Sequence, residues 1–168
     1  VDGSFLVALP LSKDYALNVS KPGYLFYSEN FTLQQNDGNE PYRKNIELQK
    51  IKIGERVVLK NIFYATNEFD LLANSKAELT KLTEFMKNNS AVSIQIEGHT
   101  DNVGSGALNK ALSENRAQSV YVFYHQNGIC YDRLSFDAYG SEKPIASNDN
   151  VKGRAKNRRT AFRVTQVN

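Results

Sequence analysis

The sequence predicts an α/β sandwich, with helices packed on one face of a mixed β-sheet, preceded by a short all-β segment. Three observations predict it. Val92-Ser93-Ile94-Gln95-Ile96 alternates apolar and polar residues with the period of a strand. Two stretches on either side of it, 76–88 and about 109–127, carry apolar residues at helical spacing. The first 50 residues instead hold short extended runs divided by turn signals. From about residue 51 the order reads strand, helix, strand, helix, strand, strand (βαβαββ), which places the helices together against the sheet.

Within residues 1–50, Phe5-Leu6-Val7-Ala8-Leu9 is an apolar run that ends at Pro10 and reads as a strand. Tyr15-Ala16-Leu17-Asn18-Val19 has the alternation of a half-buried strand, and Lys21-Pro22-Gly23 is a turn. Tyr24 to Leu33 is extended, Asp37-Gly38-Asn39 turns, and Ile46-Glu47-Leu48 alternates again. Three or four strands in so few residues make a poor free-standing core. The segment is therefore expected to be a partial β-sandwich, the tail of a larger unit, with the second domain running from 51 to 168. Because the chain starts at Val1 with no signal-peptide pattern, it is expected to be an excised or processed fragment.

In the second region, Val57-Val58-Leu59 and Ile62-Phe63-Tyr64 read as strands. Ser75-Lys76-Ala77-Glu78 has the form of a capping box, with Leu79, Leu82, Phe85 and Met86 on the helix it would open. A second helix begins near Asn109 or Ser113, with Leu112, Ala117, Val120, Phe123 and Tyr124 on its apolar face and Gly128 beyond its end. Leu134–Tyr139 and Ala161–Val167 are the remaining strands.

The bulk composition is that of a globular protein, with 40% hydrophobic and 23% charged residues among 168. No apolar run approaches the roughly 18–20 residues of a spanning helix. A net charge of +3 does not by itself imply nucleic acid. The single cysteine, Cys130, rules out an internal disulfide and reads as a half-buried small hydrophobe.

The chemistry concentrates in Glu97-Gly98-His99-Thr100-Asp101-Asn102-Val103-Gly104, which follows one strand and leads to the second helix. Glycines 98, 104 and 106 allow tight turns and a close backbone approach to a ligand. Asp101 places a negative charge in the loop. Arg116 lies in the first turns of the helix, four residues after Leu112 and on the same face. A carboxylate opposite a guanidinium complements a zwitterionic amino-acid head, the one taking the ammonium and the other the carboxylate. The helix N-terminus adds to the preference for a carboxylate. Spacing alone equally allows Asp101 and Arg116 to form a structural salt bridge with each other.

The stretch from about 60 to 166 resembles the OmpA C-terminal-like family, which includes peptidoglycan-associated lipoprotein and flagellar stator anchors. The resemblance rests on Gly98-His99-Thr100-Asp101, then Asn109, Leu112-Ser113 and Arg116-Ala117, then Asn157-Arg158-Arg159. It implies an OmpA-like fold and non-covalent binding of the diaminopimelate of a peptidoglycan stem peptide, with no bond made or broken. The matching positions are Asp101 and Arg116 for the diaminopimelate, with Thr100, Asn109 and Leu112 around them. Ala65 and Thr66 stand on the opposite wall, and Arg158 near the pocket. The family usually has an aspartate where Ala65 stands, so an acceptor is lost there or the contact comes from backbone. The resemblance further implies a periplasmic or outer-membrane location in a Gram-negative bacterium. The implied partners are peptidoglycan and outer-membrane-associated upstream domains, with no catalytic residue, cofactor or metal. Residues 1–50 resemble the last strands of a carboxypeptidase regulatory-like domain, through Lys13-Asp14-Tyr15 and Lys21-Pro22-Gly23-Tyr24.

Other residues carry blander readings. His99 and His125 lack the spacing of a metal site, and the resemblance makes His99 a loop-shaping residue. Arg154, Lys156, Arg158 and Arg159 form a basic run without the interleaved aromatics of a single-strand binder, so no nucleic acid is expected. Tyr121, Phe123, Tyr124 and Tyr131 read as core rather than as a sugar platform. Two rival functions remain. One is a peptidoglycan hydrolase using Glu97 and Asp101. The other is an interaction module that has lost wall binding, as Ala65 hints.

Overall fold

The computed structural model describes residues 3–33, 41–65 and 68–167. A four-stranded sheet forms the body, in the order β3-β6-β4-β5. Its strands are β3 (Arg56–Leu59), β4 (Val92–His99), β5 (Leu134–Ala138) and β6 (Arg159–Val167). β6 runs antiparallel to both β3 and β4, whereas β4 and β5 are parallel, so the sheet is mixed as expected. A parallel pair needs a crossover. Here α2 (Gly106–Gln126) supplies it, and α1 (Lys76–Asn88) packs beside α2. Val92, Ile94 and Ile96 alternate into the core and meet Leu79, Leu82, Met86, Val120 and Tyr124.

A third helix, α3 (Val151–Asn157), precedes β6 and was not expected. The basic run Gly153–Asn157 lacks an apolar stripe, so periodicity gives no signal. Its start is nevertheless capped, since Asn150 Oδ1 accepts from the Gly153 amide at 2.8 Å. Asn157 then fastens it, with Oδ1 accepting from the Ile145 and Ala146 amides and Nδ2 donating to Ala146 O.

Before the body lies the antiparallel hairpin of β1 (Asp14–Val19) and β2 (Tyr27–Thr32). Phe5–Leu9 is not a strand; it is irregular, with Phe5, Leu6 and Val7 exposed. Ile46–Leu48 makes no strand either, and only Lys50 bridges back to Tyr24. The expected turn Asp37-Gly38-Asn39 lies outside the described residues. The hairpin is not separate from the body. Leu25 and Phe26 belong to the common core, where the Phe26 ring stacks on Phe162 with centroids 5.9 Å apart.

The capping box at Ser75 does not form. Ser75 has helical torsions (φ −74, ψ −19), and its hydroxyl makes no cap bond because a 3-10 turn over Ala73–Ser75 already leads into α1. The hydroxyl instead accepts from the Phe63 amide at 2.9 Å and donates to Phe63 O. Glu78 turns inward, where Ser28 Oγ and Asn61 Nδ2 donate to its carboxylate. These bonds offset the desolvation of a buried carboxylate, so tertiary demand overrides the local motif. Ile62–Tyr64 is likewise not strand but an irregular wall held through Ser75.

Tyr124 is fully buried and Tyr121 and Phe123 pack against the core, as expected of core aromatics. Tyr131 stays largely exposed, stacked on Tyr121 at 5.6 Å. Cys130 is exposed rather than half-buried, because it leads into the 3-10 turn Tyr131–Arg133 at the surface.

Candidate functional site

The loop after β4 is built from within the body. The Thr100 amide donates to Gly140 O at 2.8 Å, which fixes the loop's first residue. Asn109 Nδ2 donates to Asp101 O at 3.3 Å and to Val103 O at 3.0 Å, and so ties the loop to α2. Gly104 turns the chain with φ +93, a region that disfavours a side chain. Ser105 caps α2, its hydroxyl accepting from the Leu108 amide. The helix therefore opens at Gly106, earlier than expected, and Arg116 stands nearly three turns inside it. The positive pole of α2 accordingly faces the 101–105 loop and adds nothing at Arg116, since that field fades within the first turn.

Gly98 has a different role from the one expected. It lies in β4 rather than in a ligand cradle, and a Cβ there would stand 2.1 Å from Ser113 O. The missing side chain is what lets α2 press against the strand. This approach carries Asn109, Leu112 and Arg116 to the loop. Ser113, fully buried, secures the contact by accepting from the Gly140 amide at 2.9 Å.

Asp101 is buried, and both carboxylate oxygens are engaged. Oδ1 accepts from the Val103 amide at 3.0 Å, and Oδ2 accepts from Arg158 Nη1 at 2.7 Å. Arg158 stands at the junction of α3 and β6 and is about half exposed. Arg116 does not pair with Asp101. Its Nε donates to Glu68 O at 2.9 Å and Nη2 to Ala65 O at 3.4 Å. The guanidinium lies over the Tyr64 ring, 4.7 Å from its centroid. Tyr64 OH in turn donates to Arg116 O and meets Thr160 Oγ1, both at 3.2 Å. Burial is the main cause that lowers the Arg116 pKa. Arg158 lowers it further, while Tyr64 and Asp101 raise it, so the three charges share one electrostatic neighbourhood.

The structure thus brings together Asp101, Asn109, Leu112, Arg116, Arg158 and the Ala65 backbone. Leu112 is half-buried between Asn109 and Arg116 on the helix. Thr100 is buried behind the loop, with no hydrogen-bond partner for its hydroxyl. Thr66 lies outside the described residues. Position 65 contributes its main-chain carbonyl, which accepts from Arg116 Nη2. The sequence reading missed the Glu68 carbonyl, which no residue type could signal. It also missed that Tyr64, read as part of a strand, carries the Arg116 guanidinium over its ring.

His99 sits at the end of β4, almost fully buried, its ring stacked on Tyr139 at 5.2 Å. Neither ring nitrogen has a hydrogen-bond partner. Burial, helped by Arg159 and Lys143, pushes its pKa down to about 3, so it is neutral at physiological pH. No group of His, Cys, Asp and Glu among the described residues could hold a metal. Arg159 braces the surroundings by donating to Asn157 O and Lys143 O. A concavity of about 350 Å³ lies on the other side of the wall, between Phe69–Leu71 and the α2 face of Ser119 and Val122. It contains neither Asp101 nor Arg116.

A two-layer α/β body thus carries Asp101 paired with Arg158 beyond the end of β4, with Arg116 within electrostatic reach of both. The chain belongs to the OmpA family, whose model matches residues 63–158. It is 41% identical over 92 residues to outer membrane porin F of Pseudomonas aeruginosa, covering 54% of this chain and 26% of the porin. It is 31% identical over 115 residues to the peptidoglycan-associated lipoprotein of Buchnera aphidicola, covering 68% of this chain and 64% of that protein. The chain therefore spans about a quarter of the porin and just under two thirds of the lipoprotein. Among solved structures, a MotB-like protein from Desulfovibrio vulgaris superposes with a TM-score of 0.60 at 25% identity, covering 67% of this chain and 72% of that one. The peptidoglycan-associated lipoprotein of Burkholderia pseudomallei shares the fold, with a TM-score of 0.58 at 24% identity over 62% of this chain and 88% of that one. The curated relatives include outer-membrane porins and outer-membrane lipoproteins. No helix among the described residues is long and apolar enough to cross a membrane.

Proposed function

We propose that this chain binds peptidoglycan non-covalently, through the diaminopimelate of a stem peptide, and so anchors an outer-membrane or periplasmic protein to the cell wall of a Gram-negative bacterium. The observation that carries the reading is the gathering of Asp101 and Arg116 at the β4–α2 junction. The Asp101 loop is locked to the body, and the Arg116 guanidinium is aligned by Tyr64 and two carbonyls. Such preorganisation lowers the entropic cost of capturing a small charged head. The family supports the same reading, since relatives include a peptidoglycan-associated lipoprotein.

The site is a binding site rather than a catalytic one. Glu97, the second acid that a hydrolase would need, lies buried on β4 and accepts from Arg56 Nε at 3.0 Å and Arg163 Nε at 3.3 Å. Both of its carboxylate oxygens are taken by these guanidiniums, so neither faces a substrate. Residues 51–168 form the wall-binding domain in this proposal. The β1–β2 hairpin in this proposal is the end of a regulatory-like β unit, fastened to the wall-binding domain through Leu25 and Phe26.

Co-sedimentation with purified sacculi tests the proposal. Wild-type protein is expected in the pellet, and Arg116→Ala and Asp101→Ala in the supernatant. Wild type that stays in solution, or Arg116→Ala that pellets equally well, overturns it.

A further inference from the structure

The β1–β2 hairpin reaches the Arg116 side of the site through buried side chains. Ser28, on β2, donates to the Glu78 carboxylate and accepts from Asn61 Nδ2 at 3.2 Å. Asn61 Nδ2 also donates to Glu78 Oε2 at 3.1 Å. Three buried side chains from β2, α1 and the segment after β3 thus close on one another. Glu78 Oε1 has no hydrogen-bond partner, and Ser28 and Asn61 are the donors to this carboxylate among the described residues. A buried carboxylate with so few donors depends on each of them. The Lys60 ammonium stands 5.8 Å from the centre of the Tyr27 ring, a second tie between β2 and the same segment. Phe26, two residues before Ser28, seats the hairpin between the rings of Phe85 and Phe162, with centroids 6.0 and 5.9 Å away.

Asn61 opens the stretch that becomes the wall of the site. Two residues on, Phe63 is fixed to Ser75, which lies three residues ahead of Glu78. Tyr64 then carries the Arg116 guanidinium over its ring, and Ala65 O accepts from Arg116 Nη2. The wall is therefore pinned to α1 at two points, Phe63 to Ser75 and Asn61 to Glu78. The second pin is complete only with the hairpin seated, because Ser28 supplies the other donor to Glu78.

Resting on the proposed stem-peptide reading, we propose that Ser28 is a positioning residue for that site. Acting through Glu78 and Asn61, it holds the wall that aims Arg116, so the seating of the hairpin sets the grip on the stem peptide. Without the Ser28 hydroxyl, Glu78 keeps Asn61 alone as a donor among the described residues, and the Asn61 end of the wall loosens. Ordering Tyr64 and Ala65 around Arg116 is then a cost met on binding rather than on folding. The Asp101 loop is tied to Gly140 and Asn109 instead, so it keeps its geometry.

The test uses the full chain, amide hydrogen exchange, and calorimetric titration with the tripeptide Ala–γ-Glu–meso-diaminopimelate. Ser28→Ala is expected to weaken tripeptide binding roughly fivefold, the scale on which a residue without ligand contact modulates a site. Exchange should quicken at the Phe63 and Leu72 amides, which belong to the wall, and stay unaltered at Val103 in the Asp101 loop. Ser28→Thr, which keeps the hydroxyl, is expected to restore both the binding and the exchange. Asn61→Ala breaks the same link from the wall side while Ser28 stays on Glu78, and the same losses are expected. Thermal melting checks that each variant is folded. If wild type binds the tripeptide and the folded alanine variants bind it equally well, the inference is overturned while the stem-peptide reading stands. Exchange that quickens as much at Val103 as at Phe63 overturns it too, since the whole body would then have loosened. If wild type binds no tripeptide, the stem-peptide reading itself fails, and exchange at Phe63 in Ser28→Ala alone decides whether the hairpin holds the wall.

Discussion

The two sides of the cleft are held in different ways. The Asp101 side is a loop whose geometry is set by the body: the Gly140 carbonyl, the Asn109 amide group, the turn at Gly104 and the cap at Ser105. Arg116 makes no bond to it. The Ala65 side is an irregular segment held at Phe63 by Ser75 and at Ala65 and Glu68 by Arg116 itself. One wall is therefore preorganised independently of the binding cation, while the other is organised by it. An arginine that braces a wall has part of its fork engaged before any ligand arrives, and its remaining N–H groups are aimed by that engagement. Losing Arg116 should disturb the Ala65 wall and leave the Asp101 loop in place.

The largest expected effect comes from breaking the loop side at its foundation. Gly98→Ala places a methyl against Ser113 O, a backbone atom that cannot rotate away. Overpacking of this kind costs about 3 kcal/mol. Chemical denaturation should show that loss, and an unchanged midpoint would mean that α2 is free to shift.

Next is the pH dependence of the same side. The folded pKa of His99 is depressed to about 3, well below the ordinary 6.5. Between those values the unfolded chain binds the proton and the folded chain does not. Stability is thus full above about pH 6.5 and declines as the pH falls toward 3, by up to about 1.4 kcal/mol per unit. Urea melts should show wild type losing about 2 kcal/mol between pH 7 and pH 5 from this group. His99→Phe, which keeps the stack on Tyr139, should flatten that decline.

Asn109→Ala sharpens the comparison, because it unties the loop and leaves the wall alone. The loss of two bonds to loop carbonyls should cost about 1–2 kcal/mol and weaken stem-peptide binding. Amide exchange should quicken at Val103 and stay unchanged at Leu72, whose amide donates to Phe63 O. The smallest effect is expected from Ser75→Ala on the wall side. It removes both bonds to Phe63, which is partly exposed and so can turn to water. A cost of about 1 kcal/mol is expected, with exchange faster at Phe63 and unaltered at Val103.

Local patterns were legible where they coincide with tertiary demand. The alternation of 92–96 became β4, and the apolar stripes became α1 and α2. The spaced Gly-His-Thr-Asp, Asn-x-x-Leu-Ser-x-x-Arg and Asn-Arg-Arg residues meet at one strand end. Patterns failed where a long-range contact outbid a local one. Ser75 and Glu78 have capping-box spacing, yet both side chains serve partners far away in sequence, Phe63 for one and Ser28 and Asn61 for the other. The helix α3 escaped notice because its stability comes from Asn150 and Asn157 rather than from an apolar face.

The sequence by itself determined the two-layer α/β class, the order of the main elements, the family and which residues carry charge at the site. Class and element order follow from periodicity and residue type, which are local, and the family from the resemblance carried by the spaced motifs at 98–101, 109–117 and 157–159. Only the tertiary structure decided that Asp101 pairs with Arg158, that Arg116 is held by the carbonyls of Ala65 and Glu68, and that Gly98 makes room for a helix rather than a ligand. Each of these depends on distances between atoms separated by tens of residues. Those distances are set by how α2 seats on β4 and how β6 returns between β3 and β4.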